Sequence, residues 1–314
     1  MSYLLRRLLA NLWQVVAVSL LSFYLFSIVP GDFYSAERFN PQHSANYLDQ
    51  LQRESGLKLS WPSRYLVWMQ SCVSSDCGTS LAHEVGVRQL LGPRLAKTMM
   101  ITIPGLLLAW ILGLTFALLS IRRQNGPGSA PRGRPNLCRL ARIRSPLTPL
   151  AATAAMVPDV ISIAILLWGS VRLGLPISGI WLPVTGMVFA LTPIVFLHAA
   201  NSLEYARELP FVLLAKQRGV MPTSIWLRYI LPAAAGPLVS LAGLSFTAAI
   251  GSSLLIEVLA GWPGLGPLFL ESVQTRDYPV VQTTVVLLAV VLSCSNLLAD
   301  LALYRLDPRI RVRH

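Results

Sequence analysis

Few side chains in this sequence could take part in chemistry, and the most distinctive is an acid inside an apolar stretch. Asp159 follows Pro158 in the middle of the otherwise uncharged segment from 147 to 170. A carboxylate at that depth of a bilayer costs about 2.5–3.5 kcal/mol on insertion scales, so it should face protein or water. Two interpretations stay open. Asp159 contacts a cationic group of a transported substrate, or it forms a helix-capping or inter-helix hydrogen bond beside the break at Pro158.

A second acid, Glu257, directly follows the apolar stretch from 232 to 256. That stretch is rich in Gly, Ala and Ser, which let helices approach closely, so we expect it to face the interior of a helical assembly. Glu257 is therefore our second candidate for a translocation pathway, beside Asp159.

Two cysteines, Cys72 and Cys77, lie five residues apart in the segment between the first two apolar stretches. In an oxidising compartment this separation can bring the two sulfurs together across a turn, so we expect a disulfide. A metal site built on this pair and His83 would need a fourth ligand that the spacing does not supply. The sequence therefore predicts no metal site.

Motifs of hydrolytic enzymes are absent from the sequence. It contains no Walker A motif, no zinc-binding helix motif and no nucleophile elbow. We therefore expect no enzymatic activity and no cofactor, and any energy for work must come from another protein.

The composition places the candidate residues in a membrane. The chain has 314 residues, 54% of them hydrophobic and 13% charged, with a mean hydropathy of +0.58. A helix needs about 20 apolar residues to cross roughly 30 Å of hydrocarbon. Six stretches meet that length, and open sheets cannot satisfy their backbone in lipid. The sequence therefore predicts an all-α membrane protein with six transmembrane helices, at about 8–29, 98–120, 147–170, 180–200, 232–256 and 280–300.

The basic residues set the expected orientation of these helices. Most lie before the first helix, between 121 and 146, between 203 and 231 and after 303, whereas two short connections hold only Arg172 and Arg276. Cytoplasmic loops carry the excess of Lys and Arg. We therefore expect both termini in the cytoplasm. The net charge of +12 then reflects topology and not nucleic-acid binding, although the arginine-rich loop 121–146 could also contact anionic lipid.

The segment from 30 to 97 is expected on the outer side of the membrane, as a small region between the first two helices. Within it, a helix is predicted from Asn40 to Gly56, and a second from Pro62 to Val73 that carries Tyr65, Trp68 and Met69. Such a region could meet a binding protein at the mouth of a channel, or it could only link two spans.

A polar island from Leu203 to Pro232 interrupts the hydrophobic second half. Pro210 can begin a short helix, Gly219 can provide the left-handed residue that ends it, and Pro222 can begin another. Phe211, Leu214 and Ala215 fall at i, i+3 and i+4 and should share a face. This helix, turn and helix on the cytoplasmic side is suited to docking.

The polar island resembles the EAA loop of ABC-importer permeases. The resemblance rests on Ala215, Lys216, Arg218 and Gly219, with Ile225 about six positions later and Leu231-Pro232 at the end. Leu213-Leu214-Ala215 stands where that loop usually has an acidic residue and two alanines. In the family the loop is a coupling helix that binds a groove of the ATPase. The resemblance therefore implies that Phe211, Leu214, Ala215, Lys216, Arg218 and Gly219 couple this chain to an ATPase.

Other motifs extend the resemblance over almost the whole chain, to permeases for dipeptides, oligopeptides and nickel. They are Arg6-Arg7 before the first span, Asp76-Cys77-Gly78-Thr79-Ser80, Glu257 with Pro263-Gly264-Leu265-Gly266, Arg276-Asp277-Tyr278-Pro279 and Leu306-Asp307-Pro308-Arg309. The resemblance implies the type I importer permease fold in the bacterial inner membrane. It also implies four kinds of partner: a second homologous permease, two ATP-binding subunits, a periplasmic substrate-binding protein and membrane lipid.

These expectations divide the chain into four parts. Residues 1–29 form the first transmembrane helix, 30–97 the periplasmic region, 98–303 a five-helix core with a cytoplasmic coupling loop at 204–231, and 304–314 a cytoplasmic tail. The expected function is the permease half of an importer for a peptide-like substrate. A stand-alone secondary transporter or channel is the alternative, although it predicts internal repeats and several intramembrane charges that this sequence lacks.

Overall fold

The computed structural model describes residues 2–28, 33–34, 60–74, 77–123, 147–174 and 179–306. Over these ranges the chain is helical, with one isolated β-bridge between Thr79 and Gly86. A π-helix spans Trp226–Ile230. The other helices are α1 Ser2–Ile28, α2 Trp61–Ser74, α3 Val87–Arg123, α4 Leu147–Ala155, α5 Asp159–Arg172, α6 Trp181–Arg207, α7 Pro210–Gln217, α8 Pro222–Ile225, α9 Leu231–Ala260, α10 Leu265–Thr275 and α11 Tyr278–Leu306.

The predicted all-α membrane architecture is confirmed. Five helical stretches in the described part of the chain are long and apolar enough to cross a membrane, and a bent pair of helices makes a sixth if it counts as one span. The five stretches overlap the predicted spans and run as Leu5–Ile28, Val87–Ile121, Trp181–Arg207, Pro222–Ala260 and Tyr278–Arg305.

The third predicted span differs from a single straight helix. Thr148–Ala155 and Asp159–Arg172 meet at an angle of 100°. Pro158 causes the break, because it precedes α5 with an extended backbone at φ −58° and ψ 142° and cannot donate a hydrogen bond to the preceding turn. Asp159 therefore begins a helix and does not lie in the middle of one.

The segment from 30 to 97 is more helical than expected near its end. The predicted helix from Pro62 to Val73 is confirmed as α2. α3 begins at Val87, eleven residues before the boundary at 98 that hydropathy indicates. The predicted helix from Asn40 to Gly56 and most of the arginine-rich loop 121–146 lie outside the described residues.

The chain divides into two compact units. The first comprises Met1–Met99 and Gly261–Leu297. Its described core contains Phe23, Tyr65 and Trp68, whose rings make edge and tilted contacts. Polar bonds hold α11 to α1 in this unit, because Gln282 Nε2 donates to the Ser19 carbonyl at 2.9 Å and Ser22 Oγ donates to Gln282 Oε1 at 2.8 Å.

The second unit comprises Met100–Ala260 and Leu298–His314. Two glycines in this unit mark places where neighbouring helices pack closely. A Cβ at Gly113 of α3 would lie 2.7 Å from Val195 Cγ1, and a Cβ at Gly186 of α6 would lie 2.6 Å from Ile163 Cδ1. Trp110 Nε1 also donates to Ser245 Oγ at 2.9 Å and joins α3 to α9. This unit carries the polar island and both candidate acids.

Candidate functional site

The polar island folds as its sequence predicts. Pro210 occupies the first turn of α7 and Pro222 the first turn of α8. Gly219 has φ +73°. The backbone nitrogen of Val220 donates to the Ala215 carbonyl at 3.3 Å, and the nitrogen of Gly219 donates to the Lys216 carbonyl at 3.1 Å. These two bonds form a Schellman motif, so the left-handed glycine ends α7 and turns the chain into α8.

The buried face of α7 differs from the face that its sequence indicates. Val212 and Ala215 are buried in a hydrophobic cluster with residues of α6 and α8. Phe211 and Leu214 are 44% and 53% exposed, and Leu213 is 46% exposed. Ala215 therefore does not share an exposed face with Phe211 and Leu214. The spacing was ambiguous because Val212 also falls three residues before Ala215, and the neighbouring helices decide which stripe is covered.

Basic side chains surround the exposed apolar residues of α7. Lys216 follows Ala215 in the last turn, and Arg218 is exposed at the C-cap. Partial burial lowers the pKa of Lys216, and the positive charge of Arg207 lowers it further. α7 thus presents an apolar surface beside positive charge, a combination that can bind an apolar groove with an acidic rim.

A π-helix follows α8, and the sequence gives no Gly or Pro to mark it. Trp226–Ile230 forms this turn, and Ile230 is fully buried in the same cluster as Val212. π-helical turns are rare and occur often at functional sites. Here the turn joins α8 to α9, so α8, the π-helix and α9 form one continuous stretch from Pro222 to Ala260.

The first candidate acid of the pathway pairs with a hydroxyl of another helix. Asp159 is partly buried in the first turn of α5. Ser252 Oγ of α9 donates to Asp159 Oδ2 at 2.5 Å. The inter-helix hydrogen bond that the sequence left open is therefore present.

The second candidate acid is enclosed. Glu257 is fully buried in α9, five residues after Ser252. A pathway role for either acid stays a prediction, but of the two only Asp159 is partly exposed.

A buried acid that sequence reasoning missed lies in the first unit. Asp277 is fully buried. Its Oδ2 accepts a hydrogen bond of 2.5 Å from Ser80 Oγ and one of 3.2 Å from the backbone nitrogen of Ala82. Ser80 and Asp277, one residue of each of two sequence motifs, thus meet, although 197 residues separate them. Both motifs were visible in the sequence, but nothing in their spacing indicated that they touch.

The two cysteines of the segment from 30 to 97 are neighbours as free thiols. The side chains of Cys72 and Cys77 interact, and burial together with this interaction raises the pKa of Cys72 well above its usual range. The disulfide between them stays a prediction. Among the described residues, no group of three His, Cys, Asp or Glu side chains could hold a metal ion.

The sequence is similar to one protein-family model and to several known proteins. A family model described as a binding-protein-dependent transport system inner membrane component matches residues 138–312. The chain is 30% identical over 322 residues to a Brucella ovis protein named as a peptide permease, with 99% of both chains covered. It is 26% identical to a glutathione transport system permease protein of Pectobacterium atrosepticum, with 100% of both covered.

The fold has a counterpart among solved structures. An inward-facing structure of the MetNI methionine ABC transporter superposes with a TM-score of 0.57. The superposition covers 70% of this chain and 97% of the other, at 19% sequence identity. At that identity the comparison establishes a shared fold and not a shared substrate.

Proposed function

Because the chain belongs to the family of binding-protein-dependent transport system inner membrane components, we propose that it is one permease subunit of an ABC importer for peptide-like substrates. Relatives that match it over nearly their full length are named as permeases for peptides, oligopeptides and glutathione. A second permease would complete the pathway, two ATP-binding subunits would drive it, and a periplasmic binding protein would deliver the substrate.

The observation that carries this proposal is the construction of α7. Val212 and Ala215 anchor the helix in the core of the second unit, while Phe211, Leu213 and Leu214 remain exposed. An exposed group of large apolar residues on a loop expected in the cytoplasm suits a protein partner. We assign that partner as the ATPase subunit and the coupling residues as Phe211, Leu214, Lys216, Arg218 and Gly219, with Ala215 in an anchoring role.

The same construction suggests how force is transmitted. When the ATPase subunits close, α7 moves with them as a rigid body, because its buried face is packed and its end is fixed by the turn at Gly219. The stretch from Pro222 to Ala260 is continuous with that turn, so it carries the displacement into α9. The membrane helices then exchange outward for inward access.

The proposed orientation places both termini and α7 in the cytoplasm of a bacterial inner membrane. The distribution of Lys and Arg supports this orientation. The test introduces single cysteines at Gln217 and at Glu84 in a variant whose four native cysteines are replaced by serine, and measures their accessibility to a membrane-impermeant maleimide. In intact spheroplasts the residue at 84 should react and the one at 217 should not, and the reverse pattern would contradict the orientation.

Gentle purification of the tagged chain from its native host tests the assembly. We expect one further permease and an ATPase to copurify at fixed stoichiometry. A chain that purifies alone and transports a solute in liposomes without ATP would instead support a secondary transporter or channel.

Substitution at Gly219 tests the coupling. A Cβ there would meet nothing within 4 Å, so a larger side chain has room, but φ +73° is strained for any residue with a Cβ. Gly219→Val should separate ATP hydrolysis from uptake, whereas Gly219→Asn, which tolerates this backbone, should retain most uptake. Equal uptake by the Val variant and the wild type would contradict the proposed role of α7.

A further inference from the structure

The ionisable residues in the membrane-spanning part of the second unit are predominantly acidic. Over the described stretches 100–121, 148–171, 181–203 and 231–260, the sequence contains two carboxylates, Asp159 and Glu257, one histidine, His198, and no lysine or arginine. A low-dielectric region with carboxylates and no fixed cation attracts positive charge and repels negative charge. The acids of this unit therefore favour a cationic ligand.

Helix geometry separates Asp159 from the C-terminal ends of the two helices that hold it. Asp159 begins α5 and Arg172 ends it, which separates them by about 20 Å along the helix. Arg172 lies over the Trp168 ring at 5.4 Å, a pairing suited to a membrane surface. On the partner helix, Ser252 lies about 12 Å inward from the end of α9 at Ala260. Since α5 and α9 are both apolar along these lengths, the carboxylate lies far from the C-terminal end of either helix, where it needs a polar partner.

Asp159 is also accessible, in contrast to Glu257. It is partly buried, and its neighbours Met156 and Val160 are 80% and 44% exposed. Gly251 leaves open space beside Ser252, because nothing lies within 4 Å of a Cβ at that position. The hydrogen bond from Ser252 holds the carboxylate through Oδ2. The exposed neighbours and the space at Gly251 therefore leave room for a ligand group near Asp159.

We propose that Asp159 is a specificity-determining residue that receives an ammonium group of the substrate as it crosses the membrane. The chemistry is a charge-assisted hydrogen bond from the ammonium to the carboxylate, with Ser252 fixing the orientation of the acceptor. The negative charge of Asp159 in the first turn of α5 would repel an anionic group at that helix end. The inference rests on the proposed import of peptide-like substrates and adds the chemical group that the pathway recognises.

Uptake of three dipeptides that differ in one side-chain charge tests the inference. Liposomes containing the full importer, with its binding protein, are given labelled Ala-Ala, Lys-Ala or Glu-Ala, and initial rates are compared between wild type and Asp159→Asn. The binding protein is the same in both, so its own preference cancels in the comparison. Asp159→Glu tests rescue by a carboxylate. Glu84→Gln, which removes an exposed carboxylate outside the spans, is the matched control.

The inference predicts that Asp159→Asn lowers Lys-Ala uptake relative to Glu-Ala by about tenfold, the effect of losing one hydrogen bond between charged groups. Asp159→Glu and Glu84→Gln should keep the wild-type ratio. A fall that is equal for all three peptides and is restored by Asp159→Glu would identify the α-ammonium, common to all three, as the recognised group.

Two other results would overturn the inference while leaving the proposed function intact. They are unchanged uptake of all three peptides by Asp159→Asn, and a general fall that Asp159→Glu does not restore, which would indicate a structural role. If the wild-type importer moves none of the three peptides under ATP, the proposed peptide function fails, and this inference fails with it.

Discussion

Ser80 Oγ donates a hydrogen bond of 2.5 Å to Oδ2 of the fully buried Asp277. The same Ser80 oxygen accepts a bond of 3.0 Å from the backbone nitrogen of His83, so the turn from Ser80 to His83 and the residue before α11 form one connected network. Close packing supports it, because a Cβ at Gly78 would lie 3.8 Å from Pro279 Cβ. The network fixes the segment before α3 to the start of α11 within the first unit.

Removing the buried carboxylate of this network should destabilise the protein. Asp277→Ala leaves Ser80 Oγ and the Ala82 nitrogen without their acceptor, and we expect a loss of about 1.5–3 kcal/mol in the free energy of unfolding. The midpoint temperature of thermal unfolding in detergent measures it. Glu271→Gln is the control. Glu271 Oε1 lies 3.7 Å from His83 Nε2 in a solvent-exposed contact, and such pairs contribute about 0–1 kcal/mol. Equal midpoints for both variants would contradict the network.

The two faces of α7 should respond differently to truncation. Phe211→Ala removes an exposed side chain, so stability should change by less than about 0.5 kcal/mol, while the ATPase should dissociate more readily from the complex. Val212→Ala removes a fully buried side chain and should cost about 1–3 kcal/mol. Thermal midpoints and the fraction of ATPase retained on a tagged permease separate the two effects. If both variants retain the ATPase as the wild type does, docking through α7 is contradicted.

Local signals in the sequence predicted the turns and spans well. Pro210, Gly219 and Pro222 act through their own backbone restrictions, so their roles could be inferred without knowing the neighbours. The membrane helices follow from uninterrupted apolar length, which needs no tertiary information.

The features that the sequence did not reveal depend on distant contacts. The burial of Val212 in place of Phe211 is decided by α6 and α8, and the pairing of Ser80 with Asp277 links positions 197 residues apart. The 100° bend at Pro158 was visible only as a possible break, because a proline restricts the backbone without setting the direction of the next helix.

Close packing between α3 and α6 leads to a third prediction. Gly113→Ala would place a Cβ 2.7 Å from Val195 Cγ1 and 3.1 Å from the backbone nitrogen of Phe196. Since the backbone cannot move away cheaply, we expect a loss of about 1–3 kcal/mol in the free energy of unfolding. Gly92→Ala on the same helix meets nothing within 4 Å and should gain about 0.5–1 kcal/mol. Thermal midpoints of the two variants should therefore move in opposite directions, and a shared direction would contradict the packing.

The pair of Cys72 and Cys77 allows a test by pH. Burial raises the pKa of Cys72, and the hydrogen bond and negative charge of Cys77 raise it further. Because the thiolate is the reactive form, a raised pKa leaves Cys72 protonated at pH values where an ordinary thiol of pKa about 8.5 already ionises. In reduced protein, alkylation of Cys72 by iodoacetamide should stay slow from pH 7 to 10, as followed by mass spectrometry of its peptide. Cys77→Ser should make it only moderately faster, since burial, the largest cause, remains. A rate that reaches its plateau near pH 9 would show that Cys72 is not held in this environment.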